Sequence, residues 1–254
     1  MTKWFTFTNE RGTFDTRNFH IYINKIKRPL MPPLKTPTIE VGQMAGAWAQ
    51  KSSFGTYEIT IDLMLYSDTD ALLRKDLRAM ALSIFAFKAG KLTLSDEQDV
   101  YVNAVLTDKF DFDNFSAIGE GSLTFLIADP FAYKLTELNP LIDDVAKKIT
   151  VTVDGYDTFP RFRIYPTGAQ SSIKITNETT GKYLLLEGTM ATGVVLIADH
   201  KKNLVYEEAN LARRMTLVNM ASDFFPLVKG SNTISYTATT NAMSIRMFYT
   251  ERYL

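Results

Sequence analysis

Thr56-Tyr57-Glu58-Ile59-Thr60-Ile61-Asp62-Leu63-Met64-Leu65 alternates apolar and polar side chains and sets Tyr57, Ile59, Ile61, Leu63 and Leu65 on one face. A period of two marks a strand with one buried face, because successive Cβ atoms point to opposite sides of a sheet. The same pattern runs outward in both directions. Trp4, Phe5 and Phe7 open a first short strand, and Phe19-His20-Ile21-Tyr22-Ile23 forms a second. Downstream it returns at 92–94, 101–106, 110–113 and 121–128. Pro130, which has no N–H for a ladder, is expected to end the last of these.

Two segments break the rhythm. From 68 to 88 the apolar residues Leu73, Leu77, Met80, Ile84 and Phe87 recur every three or four positions, which predicts an amphipathic helix. Ser67 or Asp68 is its expected cap, Asp70 suits its positive end, Gly90 is its expected stop, and Arg74, Lys75 and Arg78 form its solvated side. Between 29 and 37, Pro29, Pro32, Pro33 and Pro37 exclude a central strand. With the small-residue stretch 41–50 and its single Trp48, residues 29–53 read either as a projecting arm or hairpin, or as a surface loop with Trp48 folded back on the core.

Asn139-Pro140 and Asp143-Asp144 read as a connection, which divides the chain into domains 1–138 and 139–254. Beyond it come only short strands and turns, at 148–153, 159–166, 172–177, 182–186, 194–198, 204–206, 217–219, 231–236 and 243–249. Glu178-Thr179-Thr180-Gly181 is a hairpin turn ending in glycine. Short strands punctuated by turns predict a two-sheet sandwich or jelly roll, so the fold class is mainly β.

The chemistry available is narrow. The 254 residues hold no cysteine, which removes disulfides, thiolate metal sites and cysteine nucleophiles. With 28 basic and 28 acidic side chains the net charge is zero, and neither domain has the basic excess of a phosphate-gripping nucleic-acid binder. No leader-like or membrane-length apolar run occurs, so the expected setting is a cytosol with no membrane contact. Only His20 and His200 could serve a nucleophile; His20 reads as a half-buried strand residue and Asp199-His200 as a hairpin tip. Glu207-Glu208, Asp143-Asp144 and Asp96-Glu97 are neighbours in sequence, which does not place two carboxylates across a cleft as glycan hydrolysis requires. The acidic turns 96–99 and 108–113 lack calcium-loop spacing. Gly119-Glu120-Gly121 is too short for a phosphate loop. No cofactor is expected. Tyr156, Phe159, Tyr165 and Tyr183 could offer stacking faces to sugars, the platform of a carbohydrate-binding module, and would serve equally as core.

Three sets of residues, taken in order, resemble a known family. The first is Gly121-Ser122-Leu123-Thr124-Phe125-Leu126-Ile127-Ala128-Asp129-Pro130-Phe131-Ala132-Tyr133. The second comprises Phe159-Pro160-Arg161-Phe162, Ile175-Thr176-Asn177-Glu178-Thr179-Thr180-Gly181 and Leu196-Ile197-Ala198-Asp199. The third is Ser222-Asp223-Phe224-Phe225-Pro226-Leu227-Val228-Lys229-Gly230-Ser231-Asn232-Thr233-Ile234. In this order the chain resembles, nearly end to end, the distal tail proteins (Dit) of long-tailed phages, the siphophages, that infect Gram-positive bacteria. It departs from the family at Ala198, immediately before Asp199, where the family pattern is an apolar residue, and at Glu207-Glu208-Ala209-Asn210, where a glycine is more usual.

The resemblance implies a tail-tube-like N-terminal β-sandwich with one helix and a projecting hairpin, and a galectin-like C-terminal sandwich. It implies a homo-oligomer: six copies closed head to tail into a single or stacked ring. Such a ring is a baseplate hub in the virion, at the distal end of the tail, and is assembled in the host cytoplasm. Its partners would be the major tail-tube protein and a tail-tip or tail-associated lysin protein, with DNA passing through the lumen unbound. On this reading Pro32, Pro33, Trp48 and Phe54 are the expected subunit contacts, and Asp129, Pro130 and Phe131 the wedge at the domain junction. The protein would act without catalysis.

Overall fold

Alternation along the chain becomes a ladder. The computed structural model describes residues 3–40, 42, 45–85, 88–107, 112–115, 118–142 and 145–254. β1 (Phe5–Asn9), β2 (Gly12–Asp15) and β3 (Ile21–Lys27) come first. A hairpin follows, made of β4 (Leu34–Lys35), β5 (Thr38–Glu40), β6 (Ala47–Ala49) and β7 (Ser53–Phe54). Then come β8 (Tyr57–Tyr66), α1 (Asp70–Ile84), β9 (Gly90–Leu94), β10 (Glu97–Leu106), β11 (Phe112–Phe115) and β12 (Ile118–Lys134). The main sheet runs β2-β1-β9-β10-β12-β8-β3, with β11 paired to β12 beside that path.

On β8, Ile59, Ile61, Leu63 and Leu65 are buried, as the alternation requires. They meet Leu123, Phe125 and Ile127 of β12 and the rings of Phe5, Phe7 and Phe14 in one core. Each such side chain contributes roughly 1.5–3 kcal/mol by leaving water. The helix covers this core with Leu73, Met80 and Ile84, while Arg74, Lys75 and Arg78 face solvent. Its cap is Thr69, whose hydroxyl accepts from the Leu72 amide at 3.3 Å, rather than Ser67 or Asp68. At the other end Asn9 Nδ2 donates to the carbonyls of Ser83, at 2.8 Å, and Ile84, at 3.3 Å. A side chain from β1 thus satisfies carbonyls that the last turn leaves open. Phe87 lies outside the described residues, as do 108–111 of the second acidic turn.

Three local expectations change here. Gly90 is not the helix stop; it opens β9 and is buried, and a Cβ there would lie 2.6 Å from both the Phe7 ring and the Thr8 carbonyl. His20 is exposed in a turn before β3, because the preceding residues, Thr16–Asn18, wind into a short 3-10 turn. Pro130 does not end β12, which continues to Lys134. The last pair with β8 is Ile127↔Tyr57, so Pro130 lies where no β8 partner remains to receive an N–H.

The chain divides at 133/134, into Met1–Tyr133 with Leu254 and Lys134–Tyr253, five residues before the 138/139 boundary read from the sequence. Backbone bonds explain the shift: the Lys134 amide donates to Glu251, and Leu138 exchanges bonds with Tyr249, each at 2.9 Å. Residues 134–138 are therefore laced to the last strands of the second unit. That unit contains β13 (Leu141–Ile142), β14 (Lys148–Val153), β15 (Arg161–Pro166), β16 (Gln170–Asn177) and β17 (Lys182–Met190). β18 (Leu196–Asp199), β19 (Leu204–Glu207), β20 (Gly230–Ala238) and β21 (Met243–Phe248) complete it.

These strands form two antiparallel sheets, β13-β21-β15-β18-β19 and β14-β20-β16-β17. Their inward rows, with Phe162, Ile164, Ile245 and Met247 from one and Ile173, Ile175, Leu184 and Ile234 from the other, share one core. Gly181 closes the β16–β17 hairpin at φ +71°, a conformation glycine adopts freely. The expected strand at 217–219 is instead a 3-10 turn, Met215–Leu217, with Val218 making a single bridge to Leu186. At the turn following β19, where a glycine is more usual in the family the chain resembles, the left-handed residue is Leu211, at φ +58°.

His200 occupies the turn expected of it, yet its ring is fully buried, set edge-on to Phe162, Phe224 and Phe225. Nδ1 lies 2.9 Å from the Phe225 amide and 3.0 Å from the Phe225 carbonyl, and Nε2 has no partner. Burial pushes its pKa down to about 4, against the smaller upward pull of Phe225 and Asp199.

Two outcomes follow for stability. Gly90→Ala should cost about 1–3 kcal/mol by overpacking against Phe7, read as a lower urea midpoint of the N-terminal unit's transition. For His200 the folded value lies below the ordinary 6.5, so the unfolded chain takes up the proton first. Stability should fall by about 3 kcal/mol as pH drops from about 6.5 to 4. His200→Asn, whose Oδ1 can accept from the Phe225 amide, should flatten that slope in urea titrations of the second unit's transition across the window.

Candidate assembly surfaces

The proline-rich segment is a hairpin. Leu34 pairs with Phe54 and Lys35 with Ser53, then Thr38 with Ala49, Ile39 with Trp48 and Glu40 with Ala47. Gly55 N donates to Pro33 O at 2.7 Å, Gln50 N to Pro37 O at 2.8 Å, and the Thr36 and Ser52 hydroxyls meet at 2.7 Å. Pro33 and Pro37 thus accept through their carbonyls where they cannot donate, so proline is compatible with this two-stranded edge.

The apolar side chains of the hairpin have no core of their own. Trp48 is 69% exposed and Ile39, directly across from it, 50%; Leu34 and Met31 are also exposed, and Leu30 fully so. The alternative in which Trp48 folds back on the core is not what the chain adopts. Of the four expected contact residues, Trp48 and Pro33 present free surface, Phe54 is half-buried and Pro32 is already buried within its own chain.

Asp129, Pro130 and Phe131 sit together near the end of β12. Asp129 accepts a hydrogen bond from the Tyr133 hydroxyl at 2.7 Å. Phe131 meets the Phe54 ring edge-on, with centroids 6.0 Å apart. The structure therefore joins one residue of each expected group: Phe131 anchors the root of the hairpin through Phe54. Pro130 lines a cavity of about 310 Å3 with Pro29–Pro32, the stretch that leads from β3 into the hairpin. Arg28, at its rim, is held by Asp96 at 2.8 Å and Glu97 at 3.1 Å. The acidic turn at 96–97 thus serves as the counter-charge for Arg28, a role its local sequence does not show.

The four aromatic residues considered for sugar stacking do not share one surface. Tyr156 and Phe159 flank the Arg252 guanidinium, 5.6 and 5.5 Å from their centroids. Tyr165 points out of β15, next to inward Ile164, and Tyr183 out of β17, next to inward Leu184. Those strands belong to opposite sheets, so the two rings face opposite ways.

The carboxylate pairs are also engaged. Glu207 accepts from Arg214 and, at 2.8 Å, from Asn210; Glu208 accepts from Arg163 Nη2 at 2.8 Å. The arginine in each case holds the carboxyl below its usual range, the opposite of what a general acid needs. Asp143 and Asp144 lie outside the described residues. Among the described residues no three His, Asp or Glu side chains are grouped as metal ligands, and no helix is long and apolar enough to cross a membrane.

The profile of the family described as siphovirus-type tail component, C-terminal domain, matches residues 155–253. That of the phage tail protein RIFT-related domain matches 19–127. No curated protein matches the chain. Among solved structures, the Dit protein (gp 19.1) of phage SPP1 is 15% identical over 100% of both chains, with a TM-score of 0.79. That protein is described as a paradigm of the hub adsorption apparatus in phages infecting Gram-positive bacteria. A chain of the activated phage P2 baseplate with calcium is 9% identical over 99% of this chain and 98% of that one, with a TM-score of 0.55. One from the same baseplate with strontium is 12% identical over 98% of each, at 0.53. These likenesses extend the tail-component profiles across both units and give the second its galectin-like character. A hairpin without a core of its own, two strand-built units and two tail-component profiles in sequence order together make the chain a member of the siphophage distal tail (Dit) protein family.

Proposed function

We propose that copies of this chain close head to tail into a ring of six, clasped by the 34–54 hairpin, at the distal end of a phage tail. A structural place in the tail and its baseplate belongs to the family as a whole. The ring, the clasp and the passage of DNA are the reading offered for this chain. The observation that carries it is the pairing of exposed Ile39 with exposed Trp48 on a hairpin that buries neither. An isolated two-stranded hairpin is marginal in water, and large exposed apolar side chains mark an interaction surface.

The main sheet supports the same reading. Its path ends at β2 and β3, each paired on one side only among the described strands. A free strand edge is a template for another chain, and contacts between two different faces of one subunit generate rings when the rotation closes. Zero net charge leaves little repulsion between copies. Such a ring would join the tail tube to a tail-tip or tail-associated lysin protein after assembly in the host cytoplasm. Its opening would pass DNA without affinity, since a wall without basic excess does not hold phosphates.

Deleting residues 30–52 should shift the solution mass, measured by sedimentation with and without the tail-tip partner, from ring to monomer. Rings of undiminished mass would remove the hairpin as the clasp. The double variant Ile39→Ala and Trp48→Ala should leave monomer stability within about 0.5 kcal/mol, since both side chains are mostly in solvent. It should nonetheless weaken ring formation in the same sedimentation assay.

A further inference from the structure

Strand register on the outer face of the five-stranded sheet brings together arginines that lie far apart in sequence. Arg163 of β15 is directly opposite Arg246 of β21, and Arg246 is in turn opposite Leu141 of β13. The neighbouring rows are Tyr165 opposite Ser244 and Arg161 opposite Phe248. Like charges set directly across a ladder are destabilising. Two of the three guanidiniums have counter-ions: Arg161 is 3.3 Å from Glu137, and Arg163 is 2.8 Å from Glu208. Arg246 is exposed and has no carboxylate within ion-pair distance among the described residues.

The face is concave at this point. A hollow of about 300 Å3 is lined by Leu141, Arg163, Tyr165, Ser244, Arg246 and Phe248. A second, of about 160 Å3, adjoins it across Arg163 and Phe248 and reaches Tyr206 and Glu208. The two hollows lie on one surface of the second unit and share two lining residues. A guanidinium binds carboxylate or phosphate through a flat pair of donors, and an aromatic face binds the C–H side of a pyranose.

We propose that this face binds a sugar bearing a phosphate or carboxylate group, with Arg246 on the anion and Tyr165 against the ring, while Arg163 and Phe248, already engaged by Glu208 and by the Arg161 guanidinium, wall the hollow. The larger hollow, about 300 Å3, is at the lower end of the size of small-ligand sites. The site is independent of the ring proposal, because none of its residues belongs to the hairpin or to the main sheet.

Full-length protein titrated calorimetrically with glucose 1-phosphate, glucuronate, glucose, inorganic phosphate and a hexaglutamate peptide tests this. Glucose 1-phosphate or glucuronate should bind at least about tenfold more tightly than either glucose or inorganic phosphate, the factor expected for one charge-assisted pair. Which of the two binds better tells phosphate from carboxylate. Arg246→Gln should lose that preference while melting no lower than the parent, since it removes an exposed charge facing a like one. Equal binding of glucose, equal binding of inorganic phosphate, binding of hexaglutamate alone, or parent-like binding by Arg246→Gln would each overturn the proposal.

Discussion

Ten consecutive residue pairs, from Ile118↔Tyr66 to Ile127↔Tyr57, hold β12 against β8, and the N-terminal unit is organised by that ladder. Because side chains alternate, a single register sends Ile59, Ile61, Leu63 and Leu65 into the same core as Leu123, Phe125 and Ile127. A slip of one residue would turn either row into solvent. The helix, the Phe5, Phe7 and Phe14 rings and the tightly packed Gly90 all rest on the surface this register creates. Beyond Ile127 the ladder to β8 is finished, which is why β12 tolerates Pro130 and can carry Phe131 out to the root of the hairpin.

Besides single exposed side chains such as Tyr22, Leu72, Leu82 and Phe85, one longer run of apolar surface is left over after the N-terminal unit has filled its core. On the N-terminal unit it lies along the 30–54 segment, which is tethered at its base by Phe54 on Phe131 and by Arg28 on the 96–97 turn. A firm root with an unburied far end suits a clasp, since the root limits the conformational entropy lost when the far end finds a partner. The balanced charge is compatible with the proposed ring, whose copies would gain little from a large net charge of one sign.

The second unit spends its polar groups differently. His200 is enclosed by three phenylalanine rings and engages the Phe225 backbone through Nδ1 alone, so it is a structural group with a proton-dependent cost, not a base poised for chemistry. Glu207 and Glu208 are held ionised by Arg214 and Arg163. Arg246, on the outer sheet face, has no carboxylate within ion-pair distance among the described residues, and cross-strand pairing rather than sequence proximity sets it beside Arg163.

Much of this architecture was legible in the residues themselves. Alternation at 56–65 and 121–128, the three-four spacing from Leu73 to Ile84, the prolines of the hairpin and the glycine at 181 each act within a few residues of themselves, so local pattern and local conformation coincide. Segment order was enough to suggest the family. Tertiary structure alone decided the rest: that His200 is buried, that Gly90 belongs to a strand, that Phe54 touches Phe131, that Tyr165 and Tyr183 face opposite ways, and that Arg163 meets Arg246. The physical reason is that periodicity tells which face of a strand is apolar but not which distant strand lies beside it. Burial of a turn residue, the partner of a ring and the neighbour of a charge all depend on that second choice.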